Sequence, residues 1–245
     1  MEAGAILIPQ FDNFKGRCFK ISCISPDLTM RGTREMTLSE RLKSSTKPLH
    51  DSAEGHNFQR LLANGLLSLA DYGAYLEQLF LVHTVLEKNI KHFGANDKRL
   101  ASIVGQEQLQ ESFLKEDLEF LGSNPSSIEP LPVTAKFIRK IEVSAKDNPS
   151  SLLGFHYVLL GSKHGGKFIA RNLKQKYSFN DAGTRYFDPY GELFMQHWRS
   201  FISGLNEAEF SETEDKSIIE AAKETFVAVS EVGSALESRM LERAN

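Results

Sequence analysis

The chain has 245 residues, of which 41% are hydrophobic and 25% charged, with a formal net charge of −3 at pH 7. That length can bury a substantial core, and the charge balance leaves no broad basic footprint for nucleic acid. No apolar run approaches the roughly 20 residues a bilayer span needs, so no membrane span and a cytoplasmic location are the expectations.

Residues 1–36 contain Pro9, Gly16, Pro26 and Gly32 and sustain no helical period. The short apolar run from Ala5 to Pro9 has no basic stretch before it, which is a poor match to a signal peptide. These residues are expected to form a mobile extension ahead of a single domain over 37–245. The two cysteines, Cys18 and Cys23, have no second pair to complete a tetrahedral zinc site and fit a reducing compartment.

From Thr37 onward the chain reads as helix after helix. Thr37, Leu38, Ser39 and Glu40 fit a capping box, in which a hydroxyl and a carboxylate satisfy the free amides of a first turn. The helix it opens carries Leu38, Leu42, Leu49 and Ala53, with Pro48 expected to kink or restart it. Ser68 to Asp71 forms a second cap, followed by Leu76, Leu79, Phe80, His83, Leu86 and Ile90 at helical spacing. Further helices are expected over Leu109 to Leu121, Val133 to Lys146, Leu152 to Lys176, Pro189 to Leu205 and Asp215 to Arg243. Glycine- and proline-containing breakers fall between them. No strand alternation of useful length occurs, so the expected class is all-α and single-domain.

One of these helices is interrupted. Leu160-Gly161-Ser162-Lys163-His164-Gly165-Gly166-Lys167 places three glycines inside an otherwise continuous apolar period. A helix-interior glycine costs about 1 kcal/mol relative to alanine, so the cluster calls for a compensating reason. Two are open: a close helix crossing, or a backbone surface kept bare for a flat ligand.

The chain has no Gly-rich phosphate loop, no nucleophile elbow and no nicotinamide or flavin fingerprint. Among its seven histidines, His50 is notable because Glu54 follows four residues later on the same helical face. A carboxylate that holds one imidazole nitrogen leaves the other free for a metal. Lys43 and Lys47 precede it by about two turns and one turn and could receive anionic groups. Taken singly, such a pair and such lysines are ordinarily surface features.

Together these residues resemble the heme oxygenase family. The match runs through Leu38 to Lys43, then Thr46, Lys47, His50, Ala53 and Glu54. It continues at Leu160-Gly161 with Gly165-Gly166, at Phe194 to Ser200, and at Glu220 to Phe226. The resemblance implies a helical bundle in which heme is sandwiched between a proximal helix and a glycine-kinked distal helix. It makes His50 the axial iron ligand, with Glu54 orienting its ring. Lys43, Lys47 and Arg199 become the cations that hold the heme propionates and so fix which meso carbon is cut. Gly161, Gly165 and Gly166 become the bare backbone over the porphyrin, and Phe226 a pocket wall.

In the family, heme is both cofactor and substrate and is cleaved with O2 to biliverdin, carbon monoxide and iron. The electrons then have to come from outside, from a ferredoxin or a flavin reductase. Ser162 departs from the family pattern, since many members carry an aspartate there that anchors water in the distal pocket. His164 and His156 are further departures, because an imidazole near that pocket could bind iron from the second side. These departures keep a non-catalytic heme carrier or sensor open as the alternative, and a helical interaction protein without heme stands as the blander one.

Overall fold

The computed structural model describes residues 35–244, all of them helical or in connections between helices. The expected extension of residues 1–36 therefore lies, but for its last two residues, outside the described residues, as do Cys18 and Cys23. Residues 37–245 make one compact unit.

The first helix, α1 (Leu38–Gly55), opens on the expected capping box. The Glu40 amide donates to the Thr37 hydroxyl at 3.3 Å, and the Thr37 amide to the Glu40 carboxylate at 2.9 Å. Leu38, Leu42 and Thr46 line its buried face. Pro48 neither breaks nor restarts it, because Ser44 and Pro48 both lie on the exposed side. Water there can take the Ser44 carbonyl that proline leaves without a donor.

A seven-residue helix, α2 (Asn57–Ala63), buries Phe58 and Leu62 and is too short to show a period in the sequence. Next comes α3 (Leu69–Gly94), capped by the Ser68 hydroxyl accepting from the Asp71 amide at 3.1 Å. Its buried stripe contains all six residues read from the periodicity, Leu76 to Ile90. A short α4 (Lys98–Ile103) starts at Asp97, whose carboxylate accepts from the amides of Arg99 and Leu100.

Then follow α5 (Glu111–Phe120), α6 (Pro132–Asp147), α7 (Ser151–Gly161), α8 (Gly166–Tyr177), α9 (Phe194–Glu207) and α10 (Glu212–Ala244). The expected helix over 152–176 is thus two helices, joined by a single 3-10 turn at Ser162–His164. The expected helix from Pro189 begins later, at Phe194, after a 3-10 turn at Gly191–Leu193.

Packing gives two apolar clusters bridged by α3 and α10. One gathers Leu42, Leu86, Ile141, Phe155, Phe201 and Ile218, and the other Phe58, Tyr72, Leu76, Leu118, Leu173 and Val232. The crossing of α7 over α10 is close because Gly154 has no side chain. A Cβ there would lie 1.9 Å from the Ile218 carbonyl oxygen. Buried polar side chains, among them His83, Glu87, Gln108, Gln110, Asp117, His156 and Lys163, sit among these apolar residues.

Candidate functional site

The half-exposed ring of His50 stands on α1 against α10, edge-on to the Phe226 ring with centroids 5.7 Å apart. Its Nε2 is 3.6 Å from Glu54 and its Nδ1 3.9 Å from Asp51. Both separations are too long for hydrogen bonds and short enough for a carboxylate to reach either nitrogen after a small rotation. Asp51 is already held by Lys47, which donates to both its oxygens at 3.0 and 2.8 Å and lowers its pKa. His50, Asp51 and Glu54 also form the one triple of potential metal ligands among the described residues, all exposed.

On the other side stands the glycine turn. The three glycines behave differently. Nothing lies within 4 Å of a Cβ placed on Gly165, which faces open space, whereas one on Gly161 would touch the Trp198 ring at 3.4 Å. Gly166 is different again, since a Cβ there would sit 1.8 Å from the Phe187 carbonyl oxygen. The space kept free at Gly166 is therefore filled by protein backbone, which corrects its reading as bare surface for a ligand. Close approach is thus the reason at Gly166, where the neighbour is a loop backbone and not a crossing helix, while Gly165 stays uncovered.

The two halves meet one helical turn behind the residues of interest. Burial raises the Tyr157 phenol, and a hydrogen bond with the Thr46 hydroxyl opposes that rise. Thr46 precedes His50 by one turn of α1, and Tyr157 precedes Gly161 by one turn of α7. Trp198 of α9 packs on Tyr157 at 5.4 Å and on His164 at 4.9 Å, closing the same end. Beyond this joint, His50 and Gly165 both reach solvent.

The cationic residues are all exposed. Lys43 and Arg199 form no ion pair with the described residues, and Lys47 is engaged with Asp51. Arg199 follows Trp198 on α9 and is exposed.

His164 and His156 are accounted for by protein partners. His164 Nδ1 lies 2.8 Å from the Gly161 carbonyl oxygen and must donate to it, with the ring wedged edge-on between Phe194 and Trp198. Buried His156 bonds Gln108 through Nε2 at 3.2 Å and packs on Phe201 at 5.1 Å, and burial pulls its pKa down to about 4.

A surface groove of about 560 Å³ between α1, α6 and α10 shares Phe226 with this region. Neither His50 nor the glycine turn lines it, because Leu49 and Ser52 point from other sides of α1.

Behind the turn lies a buried polar chain that sequence reasoning missed. Glu87 accepts from the amides of Gln110 and Glu111 at 2.7 and 2.8 Å and lies 3.2 Å from His83 Nδ1. His83 Nε2 is 3.2 Å from the Tyr186 hydroxyl. The Tyr186 amide donates to Asp117 at 2.8 Å. Buried Lys163 places its amine 3.1 Å from the Tyr186 ring centroid, with no hydrogen-bond partner, and burial lowers its pKa well below the usual value. The available signal was a second histidine and glutamate four apart, His83 and Glu87, with the same spacing as His50 and Glu54.

Comparisons with known proteins bear on the family and the fold. The heme oxygenase family model matches residues 36–234. The chain is 28% identical to heme oxygenase 1 of Gallus gallus over 209 residues, covering 82% of this chain and 70% of that one. Among solved structures, heme oxygenase-1 from the cyanobacterium Synechocystis in complex with heme superposes with a TM-score of 0.77 at 20% identity, covering 85% of this chain and 96% of that one. The heme oxygenase of Leptospira interrogans gives 0.74 at 23% identity, covering 82% and 100%. Because the family model matches most of its length, the chain belongs to the heme oxygenase family.

Proposed function

We propose that this protein binds heme between His50 and the turn at Gly161–Gly165 and degrades it to biliverdin, carbon monoxide and iron. The residues present fit the group: one half-exposed imidazole with carboxylates in reach, an aromatic wall, and a stretch of backbone with nothing over it at Gly165. Bound heme supplies both the iron that activates O2 and the ring that is cut.

The protein contributes position and exclusion. His50 offers one nitrogen to iron while Glu54 takes the proton on the other, which keeps the ring neutral and oriented. Phe226 limits how that imidazole can turn. Lys43, Lys47 and Arg199 hold the propionates, and so set the rotation of the ring in its plane. For Lys47 this means exchanging Asp51 for a propionate, a modest cost because exposed ion pairs contribute only about 0.2–1 kcal/mol. At Gly165 the backbone lies against the ring without a side chain intervening. An external ferredoxin or flavin reductase in the cytoplasm delivers the electrons.

The observation that carries this reading is half-exposed His50 on α1 together with uncovered Gly165 in the turn after α7, with Thr46, one turn before His50, facing Tyr157, one turn before Gly161. Its test is hemin reconstitution followed by a reductant. Conversion of the Soret band to a bilin spectrum, with carbon monoxide released, is the expected result. Stable hemin binding without conversion favours the carrier alternative, which Ser162 motivates, and absence of a Soret shift excludes both.

A further inference from the structure

His50, Asp51 and Glu54 bring one imidazole nitrogen and one oxygen from each carboxylate within 4.8 Å of one another. Donors bonded to one metal ion at about 2.0–2.2 Å stand roughly 3–4 Å apart, so small rotations of these three exposed side chains close the set. An imidazole with carboxylates is also a donor set that suits ferrous iron.

A second observation shows that a cation is already held here. The Lys47 ammonium donates to both oxygens of Asp51, at 3.0 and 2.8 Å, so the carboxylate next to His50 carries a removable positive charge. Both partners are exposed, and such a pair is weak enough for a competing ion to displace. On the heme oxygenase reading, a propionate draws Lys47 away and uncovers Asp51 while the iron stands at His50. When the opened ring lets go of that iron, its four nitrogen donors are lost together. His50 alone remains from the original set.

We propose that Asp51 and Glu54, with His50 still in place, form a transient site for the ferrous iron product, and that Lys47 closes it. Each bond from iron to a bilin nitrogen that breaks is replaced by one to a carboxylate oxygen or to water. The bilin nitrogens take protons from water, and no electron moves. Glu54 exchanges the ring N–H of His50 for the metal, which an exposed side chain does by rotation. Once the bilin leaves with its propionates, Lys47 returns to Asp51 and its ammonium drives the ion out. The identity of the ion rests on the heme oxygenase reading, while the first test of the site needs no heme.

That test is a titration of the ligand-free, full-length protein with cobalt(II), a spectroscopic stand-in for ferrous iron. One ion should bind with the absorption of an imidazole-ligated centre. Asp51→Asn should weaken binding roughly tenfold, as loss of a ligating carboxylate does. Lys47→Met should instead tighten it by about threefold, because the competing ammonium is gone. Opposite shifts from two residues one turn apart are not what a general loss of helix stability produces. Binding by Lys47→Met no tighter than by Asp51→Asn would mean only adventitious ions on an exposed acidic surface, and would overturn the proposal. The second test follows turnover with a ferrous chelator in excess. Chelated iron should appear later than the metal-free bilin spectrum, and that lag should shorten several-fold in Asp51→Asn. Equal lags in the two proteins would overturn the proposal. A native protein that binds hemin and makes no bilin would instead overturn the proposed function, leaving the cobalt titration to decide the site.

Discussion

At the residue scale, two adjacent glycines make opposite predictions. Gly166→Ala forces a Cβ onto the Phe187 carbonyl, so the backbone must shift, and the loss should reach or exceed the upper end of the ~1–3 kcal/mol seen for overpacking. Gly165→Ala meets nothing and lies at φ −92° and ψ −6°, so thermal stability should hold or rise slightly while hemin binding weakens. Thermal melts of both variants check this, and a Gly165→Ala variant that binds hemin normally would count against bare backbone facing the ring. Lys163 gives a third expectation. Its amine is buried without a hydrogen-bond partner, so Lys163→Met should leave stability unchanged or raise it. A fall of more than about 1 kcal/mol in urea melts would show that the amine contributes more than its packing.

At the element scale, two buried groups oppose one another in acid. Burial raises the Asp117 carboxyl from 3.8 to about 6, so the folded protein holds that proton more tightly and this contribution to stability falls as pH rises from about 4 to 6. Burial lowers His156 from 6.5 to about 4, so the unfolded chain takes the proton first and this contribution is lost as pH falls through the same window. Each amounts to about 3 kcal/mol, and the two nearly cancel. Stability of the native sequence should therefore be nearly flat between pH 4 and 6.5 as far as this pair is concerned. Asp117→Asn should rise across that window and His156→Gln should fall. Urea melts at several pH values test it, and identical slopes in Asp117→Asn and the native sequence would refute the Asp117 assignment.

The same scale shows what the sequence made legible. The α3 stripe and both caps could be read because periodicity and hydroxyl-plus-carboxylate spacing are local signals. Helices α2 and α4 escaped because seven and six residues are too few for a period to register. The pairs His50–Glu54 and His83–Glu87 share one spacing, yet the first is half exposed and the second is buried. Only tertiary packing distinguishes a candidate iron ligand from a fixed internal relay. The division of labour between Gly165 and Gly166 was hidden for the same reason, since Phe187 approaches from 21 residues along the chain.

At the scale of the whole molecule, the helices α3 and α10 each contribute to both apolar clusters, so the bundle should unfold as one cooperative unit. Ligand binding to the folded form alone should raise its stability by about 2.7 kcal/mol at a free hemin concentration one hundred times the Kd. The most direct check on the central claim is the iron–histidine stretching band in the resonance Raman spectrum of the ferrous hemin complex. The account predicts a band typical of a neutral imidazole, its loss in His50→Ala, and its return when free imidazole is added to that variant. A band that persists unchanged in His50→Ala would place the iron on another residue and contradict the account.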